Sequence, residues 1–449
     1  MRLPVFAVVV GFVMFAGSAF AVQPFFSPHV DYAVPGDVQS ISAADLDGDG
    51  DTDLAVTNYT RHSVSVLSNN GDGTFSETAQ YLMGGAVNSV CAADLDGDGY
   101  ADLAVTVPFQ DSVCVLMNAG DGTFSGAVSY YTGDFPGCVV AADLDGDGDA
   151  DLVVTNRYSR DFSVLINNGE GSFQAGNNQA IDAYDPWSVI AADLDGDGDI
   201  DLVTAQPTSH NLSVFKNNGN ATFQTPASYD VASHPYSVTA TDLDGDGDAD
   251  LAVALYNGQV LVLKNDGDGV FQAPLAIPAG VYPNSIAAAD LDGDGDPDLA
   301  VADPGRDEVA VLRNNGHAMF SAPTSYVAAP TTYTAIAADL NGDGYADLVT
   351  GNSSTISVLI NQTPGTTECS GFCDLNLDGS INPIDGVWVV NYVYKQIDYR
   401  QQLPRCPRDN GDWNCDGAVN PADVVAFVNF IYKSSTVGPC NPSLGHADR

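Results

Sequence analysis

The stretch Asp45-Leu46-Asp47-Gly48-Asp49-Gly50-Asp51-Thr52-Asp53 places side-chain oxygens at its first, third, fifth and ninth positions and a glycine at its sixth. The pattern starts again at Asp94, Asp143, Asp193, Asp242, Asp290 and Asp339, at steps of 49, 49, 50, 49, 48 and 49 residues. So regular a period marks a repeat architecture in which each unit is one supersecondary element. Around the first copy, an alternating run from Val38 to Ala44 leads into the acidic loop, and runs from Leu54 to Asn58 and from Ser63 to Ser68 follow it. Asn69-Asn70-Gly71-Asp72-Gly73 then offers residues that accept positive φ in a tight turn, and a fourth run extends from Phe75 to Leu82. Four short strands per unit make a propeller blade, and seven units predict seven blades.

The ends of the array predict closure. The seventh unit stops after a third strand, Ser357 to Asn361, while Phe25 to Tyr32 matches fourth strands elsewhere, such as Thr74 to Tyr81. The N-terminal strand is therefore expected to complete the last blade, which removes the open edges of the array. An open β-solenoid is the alternative, and it has no use for a borrowed strand. The expected fold is an all-β seven-bladed propeller with four-stranded blades over residues 22–362.

Alternate carboxylates in a tight loop turn their oxygens inward, and calcium takes six to eight such hard donors; magnesium, which dehydrates reluctantly, suits an all-protein cage less well. The candidate ligands are Asp45, Asp47, Asp49, Asp51 and Asp53 in the first loop and Asp94, Asp96, Asp98, Tyr100 and Asp102 in the second. The third has Asp143, Asp145, Asp147, Asp149 and Asp151, and the fourth Asp193, Asp195, Asp197, Asp199 and Asp201. The fifth has Asp242, Asp244, Asp246, Asp248 and Asp250, and the sixth Asp290, Asp292, Asp294, Asp296 and Asp298. The seventh has Asp339, Asn341, Asp343, Tyr345 and Asp347, with Asn341 lowering its charge. Position 7 is expected to give its backbone carbonyl, which explains why Tyr100 and Tyr345 stand where other loops have Asp. So many carboxylates in nine residues repel one another unless a cation lies among them. An EF-hand would continue as a helix to an acidic residue at position 12, whereas each of these loops runs from position 9 into Leu and a strand.

On these residues, segment 25–361 resembles the FG-GAP or VCBS repeats of integrin-α-like propellers, whose motif D-x-D-x-D-G-x-x-D joins the first two strands of a blade. The resemblance implies calcium ligation in each loop.

After Thr363 to Thr367 the periodicity changes. Asp374, Asn376, Asp378, Ser380, Asn382 and Asp385 form one loop and Asp412, Asn414, Asp416, Ala418, Asn420 and Asp423 a second, each an EF-hand-like donor pattern followed by an apolar run at helical spacing. This pair resembles a type I dockerin, over residues 369–435, between a linker at 363–368 and a tail at 436–449. The resemblance implies attachment to a cohesin-like partner. Pro383 and Ile384, with Pro421 and Ala422, stand at the contact positions, where the family commonly has Ser and Thr. With the seven propeller loops, about nine calcium sites are expected.

Met1 and Arg2 precede an apolar run that ends before Ala19-Phe20-Ala21, so residues 1–21 read as a secretory signal and the protein as secreted, extracellular or cell-surface associated. No run is long enough to span a bilayer. The formal net charge of −45 excludes nucleic acid as a plausible partner. Cys91, Cys114 and Cys138 lie in apolar strand-like runs and read as buried small hydrophobes. Cys369, Cys373, Cys406, Cys415 and Cys440 crowd the C-terminus, and their pairing stays open.

The second-to-third and fourth-to-first connections fall on the propeller face opposite the acidic loops. They carry Arg61, His62, Arg157, Arg160, His210 and Arg306, together with Trp187, Tyr236 and Tyr282. Aromatic rings with polar handles suit a binding surface, and the ligand expected there is an extracellular glycan or protein. A dockerin-borne polysaccharide hydrolase or lyase is the alternative, as is a purely structural surface component. No G-x-S-x-G or H-E-x-x-H motif favours the enzyme.

Overall fold

The computed structural model describes residues 26–363, apart from 176 and 177. The expected signal segment and the dockerin-like module lie outside the described residues. Seven antiparallel sheets form, one per repeat. The first blade is Ile41–Ala44, Asp53–Asn58, Ser63–Asn69 and Phe75–Leu82, paired in that order. Its first strand is shorter than the expected run from Val38, and its third ends one residue later. In the third blade the fourth strand comes in two pieces, Phe173–Ala175 and Gln179–Ala180, both paired with Asp161–Asn167. The seventh blade is Thr334–Ala338, Asp347–Gly351 and Thr355–Leu359, and its fourth strand is Val30–Ala33 from the N-terminus. Val30 pairs with Val358 and Ala33 with Thr355, as the shortened seventh unit requires.

The strand sequences follow from their radial positions. Second strands have neighbours on both sides and both faces, so Asp53–Asn58 and its counterparts are buried throughout. First strands end in small pairs, Ala43–Ala44, Ala92–Ala93 and Ala337–Ala338, where the blades converge and bulk cannot be accommodated. Fourth strands are outer edges, and Phe75–Leu82 is largely exposed. The core divides into seven apolar clusters, each drawn mainly from two adjacent blades. Leu46, Val64 and Val66 meet Val90, Leu103 and Val105, for example. The closing cluster packs Leu54, Val56 and Phe75 of the first blade on Leu340, Val349 and Val358 of the last. Apolar burial thus drives blade-on-blade stacking all round the ring.

The turn after the third strand corrects one expectation. Positive φ is adopted by Gly71 and Gly73, at 78° and 74°, and not by Asn69 or Asn70. Asn69 closes its strand and is buried, with a separate role given below. Thr363, expected to open the linker, is buried and donates its backbone N–H to Asn361. Cys114 is buried as expected, whereas Cys91 and Cys138 are only half-buried; all three are free thiols.

Candidate functional site

Each acidic loop is a nest built by its own carboxylates. Asp45 accepts the N–H of Gly48 on one oxygen and that of Gly50 on the other, at 2.8 and 3.0 Å, and all seven first-position acids do the same. Gly50 sits at φ 92°, where a side chain would be strained. Asp49 accepts the N–H of Asp51. Position 7 turns its side chain out of the nest: a Cβ built on Gly71 would lie 2.5 Å from the Asp51 carboxylate, and one on Gly120 would lie 2.7 Å from the Tyr100 ring.

The ninth-position acids have a structural task that the sequence did not reveal. Asp53 is fully buried and accepts Leu46 N–H on Oδ2 and Asn69 N–H on Oδ1. Asn69 in turn donates its side-chain amide to the Leu340 carbonyl in the last blade's loop. Asn118, Asn167, Asn217, Asn265, Asn314 and Asn361 repeat this latch, each reaching the second-position Leu of the preceding blade at 2.8–2.9 Å. The only prior signal was the recurrence of Asn at the end of every third strand.

Third-position acids are the least satisfied. Oδ1 of Asp47, Asp145, Asp195, Asp244 and Asp292 is buried and accepts no hydrogen bond. One oxygen each from Asp45, Asp47 and Asp53 lies within 4.8 Å of the others, as in the trios Asp94, Asp96, Asp102 and Asp143, Asp145, Asp151. Asp193, Asp195 and Asp197 converge likewise, and so do Asp242, Asp244 and Asp246. Oxygens bound to one calcium at about 2.3–2.6 Å stand no more than about 5 Å apart, so this donor set fits a hard divalent ion.

Electrostatics agree with that fit. Burial pushes Asp102, Asp151, Asp201, Asp250 and Asp347 up to about 6 and Asp298 to about 8, although two backbone N–H donors pull each down. Burial, then the neighbouring loop carboxylates, also raises Asp96 and Asp145. Asp244 moves the other way, because Lys264 hydrogen-bonds to it.

On the opposite face, the connections of blades two to six assemble a run of rings. Phe109 meets Phe135 edge-on at 5.3 Å, and Phe135 stacks on Tyr158 at 4.5 Å. The Arg157 guanidinium lies 5.5 Å from the Phe135 ring centre and 3.9 Å from that of Trp187, held by Asp185 at 2.6 Å. Trp187 meets Tyr236 at 5.4 Å, Tyr236 meets Tyr256 at 5.7 Å, and Tyr256 stacks on Tyr282 at 4.7 Å. His210 joins through His234, which touches Tyr256. Arg160 covers Tyr184 at 3.6 Å.

Of the expected binding residues, Arg157, Trp187, His210, Tyr236 and Tyr282 therefore fall in one contiguous surface. Arg61, His62 and Arg306 have no ring contact with it among the described residues. Arg61 instead donates to the Pro35 carbonyl, and His62, at φ 58°, caps a short turn of 3-10 helix. Tyr256, Phe135 and Tyr158 were missed, since only the packing of adjacent connections brings them together.

Seven acidic-looped, four-stranded blades in a closed ring define a β-propeller of the FG-GAP type. The FG-GAP-like repeat model matches residues 45–105, 94–154, 143–204, 193–253, 242–301 and 290–350, and the chain belongs to that family. A comparison with curated protein sequences returned no match. Among solved structures, BBS1N in complex with ARL6DN is similar, with a TM-score of 0.55 and 14% identity over 76% of this chain and 98% of that one. A catalytically inactive virginiamycin B lyase from Staphylococcus aureus, crystallised with quinupristin, gives 0.51 and 14% over 75% and 99%. At such identities the likeness is one of fold. Among the described residues, no helix is long and apolar enough to cross a membrane.

Proposed function

We propose that this chain is a secreted binding propeller in which calcium holds the seven acidic loops and the aromatic face takes up an extracellular glycan or protein, while the dockerin-like module attaches it to a partner. The observation that carries the binding reading is the unbroken ring contact from Trp187 through Tyr236 and Tyr256 to Tyr282, three blades contributing to one surface. Tyr256 and Tyr282 remain exposed although they stack, so they offer both face and hydroxyl to a ligand. Arg157 lies over the Trp187 ring at the other end of this run, and its ion pair with Asp185 fixes its orientation. Rings already packed against one another lose little rotamer freedom on binding.

The test is retention on a panel of immobilised polysaccharides and extracellular matrix proteins, in calcium, for the wild type and the Trp187→Ala, Tyr236→Ala, Tyr256→Ala variant. Retention by the wild type, lost by at least tenfold in a variant with an unchanged melting temperature, supports the reading. Equal retention of the two overturns this face as the binding site.

A further inference from the structure

One register position sorts the seven loops into two groups. The residue before each latch asparagine is Ser68, Met117 and Ile166 in blades one to three, Lys216, Lys264 and Arg313 in blades four to six, and Ile360 in blade seven. All three cations reach the third-position acid of their own loop. Lys216 Nζ lies 3.2 Å from Asp195 Oδ2, Lys264 Nζ 2.8 Å from Asp244 Oδ2, and Arg313 Nη1 3.7 Å from Asp292 Oδ2. Both lysines also donate to a carbonyl in the next blade's turn, Lys216 to Asp268 and Lys264 to His317. Two anchors on different blades hold each ammonium in place. Meanwhile Oδ1 of Asp195, Asp244 and Asp292 stays buried without a hydrogen-bond donor, so the cation leaves one oxygen of each acid open to a metal.

Elsewhere the position brings no charge. The Ser68 hydroxyl donates to Asp47 Oδ2 at 2.5 Å, and Met117 and Ile166 are apolar. Blade seven has no cation either, but Asn341 has already removed the third-position charge. Loops one to three therefore keep four uncompensated donor carboxylates at positions 1, 3, 5 and 9. Loops four to seven each lose one unit of negative charge, by pairing or by substitution.

We infer that Lys216, Lys264 and Arg313 are internal counter-cations, so that the ring takes up calcium in two classes, tightly in blades one to three and more weakly in blades four to seven. The inference rests on the calcium reading proposed above. Calcium affinity falls with the charge of the ligand set, and a fixed ammonium within about 3 Å of a ligand carboxylate repels the arriving ion. The same ammonium reduces carboxylate repulsion before any ion arrives, so loops four to six keep their shape at lower calcium.

The experiment is calorimetric titration of the chelated full chain with calcium, combined with hydrogen exchange of each loop in chelator. The wild type is compared with the triple variant Lys216→Met, Lys264→Met, Arg313→Ile and with Ser68→Lys. The wild type is expected to show two affinity classes separated by about tenfold or more. The triple variant moves three sites into the tighter class and lowers chelated-state protection of loops four to six to that of loops one to three. Ser68→Lys moves one site the other way, and it supplies the test if the triple variant fails to fold. Sites of the C-terminal module are common to all three proteins and cancel in the comparison. No calcium uptake by the wild type overturns the calcium reading and this inference together. Uptake with indistinguishable isotherms for the wild type and Ser68→Lys overturns the counter-cations alone.

Discussion

The side-chain amide of Asn69 donates to the carbonyl of Leu340 at 2.7 Å, tying the first blade to the last across 271 positions of chain. The same amide also holds Thr52 O in its own blade. Asn69→Ala leaves both carbonyls without this donor in a buried setting, a loss of about 1–3 kcal/mol. Thermal unfolding of Asn69→Ala and of Asn118→Ala should show similar losses, because the two latches are chemically alike. A melting temperature equal to the wild type for Asn69→Ala would mean that the seam is held by its apolar cluster alone.

Deleting the strand Val30–Ala33 should expose the edge of Thr355–Leu359, which it now covers in register. An unpaired edge templates association with a second chain. Light scattering should rise with protein concentration for the truncated chain and stay flat for the full one.

Stability of the chelated protein should depend on pH through the ninth-position acids. Asp102, Asp151, Asp201, Asp250 and Asp347 titrate in the fold at about 6, and Asp298 at about 8, above the ordinary carboxylate value of 3.8. Between those values the folded chain holds more protons than the unfolded one, so stability falls as pH rises from about 4 to 8. Melting curves in chelator should therefore show a more stable protein at pH 5 than at pH 8. Excess calcium, which favours the ionised form, should reverse the trend.

Gly50→Ala should lower stability by about 1–2 kcal/mol, since φ 92° is unfavourable for any residue with a Cβ. Tyr100→Asp should be nearly neutral in urea unfolding, because the fold already packs Asp51 against Gly71 as it packs Tyr100 against Gly120.

The blade count, strand order and borrowed N-terminal strand were legible because they depend on local patterns, namely loop spacing, strand alternation and one incomplete unit. The acidic loops were legible for the same reason. What escaped were relations that exist only between blades. Asn69 looked like a turn residue until its amide was seen to reach Leu340, and nothing in the sequence marked Lys264, which meets both Asp244 and the His317 carbonyl. The aromatic face was legible in part: Trp187 and Tyr236 stand beside prolines in recognisable segments, whereas Tyr256 declares itself only through its contacts with Tyr236 of its own blade and Tyr282 of the connection to the next.

The Val30–Ala33 strand also sets an order of events. A ribosome delivers this strand before the first acidic loop, and its partner Thr355–Leu359 emerges only after six complete blades. The earliest segment of the ring to be made is thus the last to find its place. Blades can stack in sequence as they appear, domain segments generally folding from the N-terminus during synthesis. The circle, however, shuts in a single late step that joins the oldest and youngest parts of the chain. A nascent propeller stalled before its seventh blade carries a loose leading strand and an uncovered trailing face at once.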